Sequence, residues 1–501
     1  MTTQKHLIKR LVLELTVADS GEAYQLQEEV SRICRSRLAP IIDEHCSAVS
    51  APDRIDRIDS LEIDLGTLDH ANLEADLVAQ FTRQLPRALF ERIGLAERQV
   101  KDREITPRSA SQLELLAFFA RTGRLPWWAD PSRRRLLNDA LEYLIPEAPT
   151  RLSPLMRELV REPESLRRII LHADDRILAA LFGLLAPAFD RAVPDFPEQL
   201  LSALRATHLL AGRRPDQLRT ALWQALLSTA GAGERSRQGP QIFYRDALVH
   251  AAGRLGVDFE SLLSALREAL GDPSKGGEDR AGTLATILEA LPPADDRPLG
   301  TGSGRTEALP TAVRDARKRE PLREAAPVDQ RFSDSDEVHL PNAGLVLLWP
   351  FLGHFFEQLG LMEGKQFKDA AAVHRAVGLL GYLATEDPAP EEYQLPLCKV
   401  LCGMELDEVF EFGPPLEEAE AEECSKLLTA VIGHAPILKN MSIAGFRGTF
   451  LIRQGVLSPR DGAWLLRVER KMYDVVLERF PWSWQWIKLP WMAAPLRVEW
   501  P

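Results

Sequence analysis

The chain has 501 residues, 45% of them hydrophobic and 27% charged, with a formal net charge of −12. That length exceeds what one hydrophobic core serves, so roughly two to four domains are expected, and the acidic balance argues against a general nucleic-acid binder, whose phosphate contacts need clustered Lys and Arg. The first apolar stretch is broken by Glu14, no run of about 18 uncharged apolar residues occurs, and the five scattered cysteines fit a reducing compartment, so a cytoplasmic protein with neither secretion signal nor membrane span is expected.

In chain order, Leu7, Lys9, Leu11, Leu13, Leu15 and Val17 alternate with their neighbours, the period of a strand. Asp19 and Glu22 form a capping-box pattern ahead of a helix carrying Ala23, Leu26, Val30, Ile33 and Leu38. A second strand is predicted within Ile58–Leu65, stopped by Gly66, and a second helix with Leu73, Leu77, Phe81, Leu85 and Leu89 on one face. Together these make a small βαβα unit over residues 1–95.

From 111 to 270 the pattern is helical. Leu113, Leu116, Phe119 and Ala120 form a stripe that ends near Gly123, and Asp130 before Pro131 resembles an N-cap with proline at the first helical position. The run Arg133–Arg134–Arg135 reads as a solvated helix face. Further stripes are Leu155 with Leu159, then Leu178, Phe182 and Leu185, then Leu218, Leu222, Trp223 and Leu226, without a clean repeat period. Residues 271–332 are rich in Gly, Pro and charge, holding Gly276–Gly277, Pro292–Pro293 and Gly300–Gly304, and read as a flexible linker.

The stretch 333–501 is predicted to be a tryptophan-rich module, helical at first and rich in strands at its end. Ala343–Leu359, Val373–Leu383 and Leu416–Leu438 are the expected helices, the last with Glu417, Glu418, Glu420, Glu422 and Glu423 near its N-terminus, where the helix dipole favours them. Trp464, Leu466 and Val468, and again Leu496, Val498 and Trp500, alternate as strands do. The fold class is therefore α+β, predominantly α.

Few residues fall in a pattern that carries chemistry. Gly360–Gln366 lacks the spacing and the hydroxyl of a phosphate loop and reads as a helix C-cap and turn. Cys398, Cys402, Cys424 and His434 lack the close pair usual in structural zinc sites and read as buried thiols beside an ordinary histidine. Glu62 and Asp64 fall on the polar side of an alternating strand. No catalytic residue, metal or cofactor is expected. The aromatics are less ordinary. Seven of the ten tryptophans lie at or after Trp349, and Trp482, Trp484, Trp486, Trp491 and Trp500 crowd the last stretch. In a strand, Trp482, Trp484 and Trp486 would share one face, making either half a core or an interface anchor. These five are the candidate partner-binding residues.

Several stretches resemble the contractile injection system tape measure proteins. They are His6–Leu15 (HLIKRLVLEL), Arg57–Gly66 (RIDSLEIDLG), Arg121–Trp128 (RTGRLPWW), Asn342–Phe351 (NAGLVLLWPF), Pro396–Gly403 (PLCKVLCG) and Arg467–Asp474 (RVERKMYD) with Leu489–Met492 (LPWM). The resemblance covers both ends of the chain and leaves about 140–330 unmatched. It implies a non-enzymatic assembly protein of phage-tail-like particles that sets inner-tube length and ends up in the particle. Its implied partners are inner-tube, baseplate or hub proteins, with self-association as a further option. The competing reading is a baseplate adaptor or cargo-loading chaperone of the same system. A ruler should convert residues into length, and a linker of roughly 60 residues at about 3.3 Å each reaches only ~200 Å.

Overall fold

The computed structural model of the chain describes residues 6, 8, 11–16, 23–49, 58, 60–69, 72–101, 107–192, 196–210, 212–232, 240–271, 288, 291, 337–438 and 441–500. The chain divides into two compact units, Met1–Glu114 and Leu115–Pro501. In the first, α1 (Ala23–Ile33) passes through a wide π turn at Cys34–Leu38 into α2 (Ala39–Val49), and α3 (Leu73–Lys101) packs against them. The predicted stripes meet: Leu26, Val30, Ile33 and Leu38, joined by Ile42, close on Leu73, Leu77, Phe81, Leu85 and Leu89. Leu13, Ile58, Leu61, Ile63 and Leu65 cover the same core, and side chains 61–65 alternate between half-buried and exposed. Residues 11–16 and 60–69 carry no ladder. The Asp19–Glu22 capping pattern and most of the 271–332 stretch lie outside the described residues.

The second unit opens with the end of α4 (Pro107–Thr122). Among the described residues nine helices follow in an irregular array: α5 (Leu136–Glu147), α6 (Pro149–Leu159), α7 (Pro163–His172), α8 (Asp175–Leu185), α9 (Pro187–Ala192), α10 (Phe196–Ala206), α11 (Pro215–Gly231), α12 (Pro240–Leu255) and α13 (Phe259–Gly271). Prolines open α6, α7 and α11, where their missing N–H has no intrahelical partner to lose. The array has an aromatic centre in which Phe189 stacks on Phe243 and the buried Tyr244 donates its hydroxyl to Phe189 O.

Two expectations change here. Pro131 does not open a helix. Asp130 instead closes a turn by accepting from Ser132 N and Oγ, and α5 begins only at Leu136. Arg133, Arg134 and Arg135 sit in that irregular segment rather than on a helix face, paired with Asp139, Asp387 and Asp174. The backbone there is committed elsewhere, because Pro131 O and Arg133 O accept from Gln394 and Tyr393.

In the C-terminal module β1 (Val338–Leu340) precedes a 3-10 segment at Ala343–Leu348 and α14 (Trp349–Gln358). The continuous helix expected over Ala343–Leu359 is split in this way because Pro350 has no N–H for an α-helical bond to the preceding turn. Then come the small hairpin β2 (Met362–Glu363) and β3 (Gln366–Phe367), α15 (Ala370–Thr385), α16 (Pro396–Cys402) and α17 (Glu418–His434). The last strands are β4 (Gly455–Arg460), β5 (Ala463–Val468), β6 (Trp486–Ile487) and β7 (Leu496–Glu499). They form a five-stranded sheet with β1 in the order β1-β4-β5-β7-β6, with β5 and β7 parallel and the other pairs antiparallel. Strand β4 was not foreseen. Its Pro459 falls beyond the end of β1, where no second ladder needs an N–H. The core between sheet and helices is drawn from residues of 338–498.

Candidate docking surface and buried charge cluster

The aromatic end is built on a 3-10 segment, Met472–Arg479, and the strands β6 and β7. Arg453 anchors it. Its buried guanidinium bonds Asp474, donates to Thr449 O at 2.7 Å, and lies between the rings of Tyr473 (4.8 Å) and Trp500 (5.6 Å). Asp474 also accepts from Lys471 N at 2.7 Å and from Trp500 Nε1 at 3.0 Å.

The five predicted tryptophans divide. Trp484 is buried, edge-on to Phe480 and Trp500. Trp482 is half-buried against Phe351 and Phe480 and donates to Leu347 O. Trp491 leaves the group, packing on Phe356 and Phe367 and donating to Leu401 O. Trp486 is 61% exposed. The same-face ladder of Trp482, Trp484 and Trp486 does not form, because the strand begins only at Trp486 and the turn before it sends Trp484 inward and Trp486 outward. A groove of about 420 Å³ is lined by Trp482, Trp484 and Trp500 with Arg470, Glu478 and Gln485. Met472, 97% exposed, and Val475, 59% exposed, lie on the 3-10 segment beside it. Sequence reading missed these two, since neither has a periodic signal.

A second constellation was also missed. The buried Glu392 carboxylate binds Arg168 Nε at 3.0 Å and Lys399 Nζ at 2.7 Å, with His172 Nε2 at 3.4 Å. Arg168 donates further to Ala120 O and Asp407 O, and Lys399 to Leu406 O and Glu408 O. His172 also meets Glu391 at 3.2 Å. Gly123, at φ +68°, lies so close that a Cβ there would overlap Glu392 Oε1. Two of the recognised stretches, Arg121–Trp128 and Pro396–Gly403, thus meet at one cluster through Gly123 and Lys399. Arg168 and Glu392 lie outside both stretches and carry no local pattern that marks them.

Burial alone would raise the Glu392 pKa, but Lys399, His172 and Arg168 hold it well below the ordinary 4.5. Burial opposes the charged form of His172, yet Glu391 and Glu392 outweigh it and hold its pKa above 6.5. Glu392 therefore contributes stability above pH 4.5 that is lost as pH falls, while charged His172 contributes stability below pH 6.5 that is lost as pH rises through its raised value. The unfolding midpoint is expected to decline above about pH 6.5, and His172→Gln to flatten that decline. An equally steep decline in the variant would assign it to another group.

The cysteines sit apart from both constellations. Burial raises the pKa of the thiols of Cys398, Cys402 and Cys424, the last to about 12, and among the described residues no three His, Cys, Asp or Glu side chains gather as metal ligands would. No helix among the described residues is long and apolar enough to cross a membrane.

The second unit is thus a helical array joined by polar contacts to a mixed module with an aromatic end. The chain belongs to the contractile injection system tape measure protein family, whose family model matches residues 5–500. Its role is structural, in the assembly of a contractile injection particle. No curated protein and no solved structure matches the chain.

Proposed function

We propose that this tape measure protein is made in the cytoplasm and enters the particle by docking its aromatic end on a structural component of the tube, baseplate or hub. The observation that carries this reading is the exposed Trp486 ring at the sheet edge, with Met472 and Val475 exposed on the segment that lines the groove. Large rings that are rigid and half solvated are the usual anchors of protein interfaces. Trp486→Ala is expected to leave stability within about 0.5 kcal/mol while lowering the amount of protein recovered in purified particles. Trp484→Ala, by contrast, removes a buried ring at about 3–5 kcal/mol. If Trp486→Ala enters particles at the wild-type level, this docking surface is wrong.

The length-setting role rests on the family, and the Gly-, Pro- and charge-rich composition of 271–332 makes that stretch the place to test it. Deleting residues within 275–330 is expected to shorten assembled tubes measured by electron microscopy. Intact particles with unchanged tube length would overturn that assignment. The family match favours this role over an adaptor or a loading chaperone.

A further inference from the structure

The helical array and the C-terminal module form one compact unit, yet the boundary between them is built unlike either interior. Elements that pack closely side by side lie within the array or within the module, and the module's core is complete in residues of 338–498. What crosses between them is mainly charged or polar. At the centre are Arg168, Glu392, Lys399 and His172. At the rim are Arg124 with Asp407 (3.3 Å), Arg134 with Asp387 (3.1 Å) and Arg167 with Glu411. Backbone carbonyls complete it, with Tyr393 Oη donating to Arg133 O and Gln394 Nε2 to Pro131 O. An edge-on ring contact of Phe119 with Tyr393 adds an apolar contribution.

Such a boundary has a particular energetic character. Charges at the centre have given up water, and much of their mutual attraction goes to offset that cost. When the boundary opens, Arg168, Lys399 and Glu392 regain hydration, whereas an apolar interface of the same extent would lose its whole driving force. From these observations we infer that the boundary is an electrostatic seam, at which the array and the module part as intact bodies before either unfolds. The device lets one chain present a closed body or two tethered ones, and it does not depend on which partner the aromatic groove takes.

The experiment is hydrogen exchange by mass spectrometry on the full chain, read together with thiol labelling. Cys398, Cys402 and Cys424 are buried in the module and report its unfolding from within. Glu392→Gln leaves Arg168 and Lys399 without a counter-charge only while the seam is closed, so it should favour opening by roughly a hundredfold. Exchange is expected to rise by that factor in peptides covering 118–124 and 404–411. Exchange in β5 and labelling of the three thiols should stay at wild-type rates. The triple replacement Arg168→Met, Glu392→Leu, Lys399→Met should restore slow exchange at the seam. In the wild-type chain the seam peptides should lose protection at lower urea than β5. Simultaneous loss of protection at seam, β5 and thiols would overturn the inference, whether seen in Glu392→Gln or in the wild-type titration. So would a seam unaffected by Glu392→Gln.

Discussion

Arg453→Met is expected to lower the stability of the C-terminal module by about 3 kcal/mol, near the low end for breaking a buried ion pair. The arginine is 2% exposed, and its guanidinium holds the buried Asp474, the carbonyl of Thr449 and the rings of Tyr473 and Trp500. Methionine fills much of the space but donates nothing, so Thr449 O loses its donor and the carboxylate its counter-charge. Lys471 N and Trp500 Nε1 still serve Asp474, which keeps the loss from being larger. The check is the urea midpoint followed by tryptophan fluorescence, since Trp484 and Trp500 border the cluster. Adding Asp474→Asn should recover part of the loss by removing the unpaired charge while keeping an acceptor. A single-variant loss below about 1 kcal/mol would mean that the pair contributes little beyond its desolvation cost.

Gly403→Ala is expected to cost about 2–4 kcal/mol, from two separate terms. Gly403 ends α16 at φ +72°, a conformation that costs a residue with a side chain about 1 kcal/mol. A Cβ there would also approach Trp491 O closer than 3.0 Å, and displacing packed backbone adds about 1–3 kcal/mol. The segment at Trp491 is tied down by that ring's bond to Leu401 O, so it has little room to retreat. Thermal unfolding of the full chain measures the effect. A loss near 1 kcal/mol would leave only the backbone conformation as the cause.

Much of the secondary structure is legible in the residues. The stripes from Leu26 to Leu38 and from Leu73 to Leu89 fall on helices and meet, because a helical period both predicts the helix and marks the face it buries. The alternation in 463–468 and 496–499 falls on β5 and β7 for the corresponding reason. Family membership was legible too, from short stretches at the two ends of the chain, and the family model extends it over nearly the whole chain.

The exceptions share a cause. Asp130–Pro131 has the local chemistry of a helix start, but Gln394 and Tyr393, far along the chain, hold that backbone in a turn. Period two across Trp482, Trp484 and Trp486 implies one face only if the chain is already a strand, and it is not until Trp486. Glu392, Arg168 and Lys399 are unremarkable charges in sequence.

The residues by themselves determined the helix-dominated fold class, the aromatic concentration at the C-terminal end and the family, since each depends on spacing or on short contiguous patterns. Which tryptophan faces water, and which charges are buried together, was decided only by the tertiary structure. Burial of a ring or an ion depends on groups hundreds of residues away, such as Glu392 beside Arg168, and no local period encodes that neighbour.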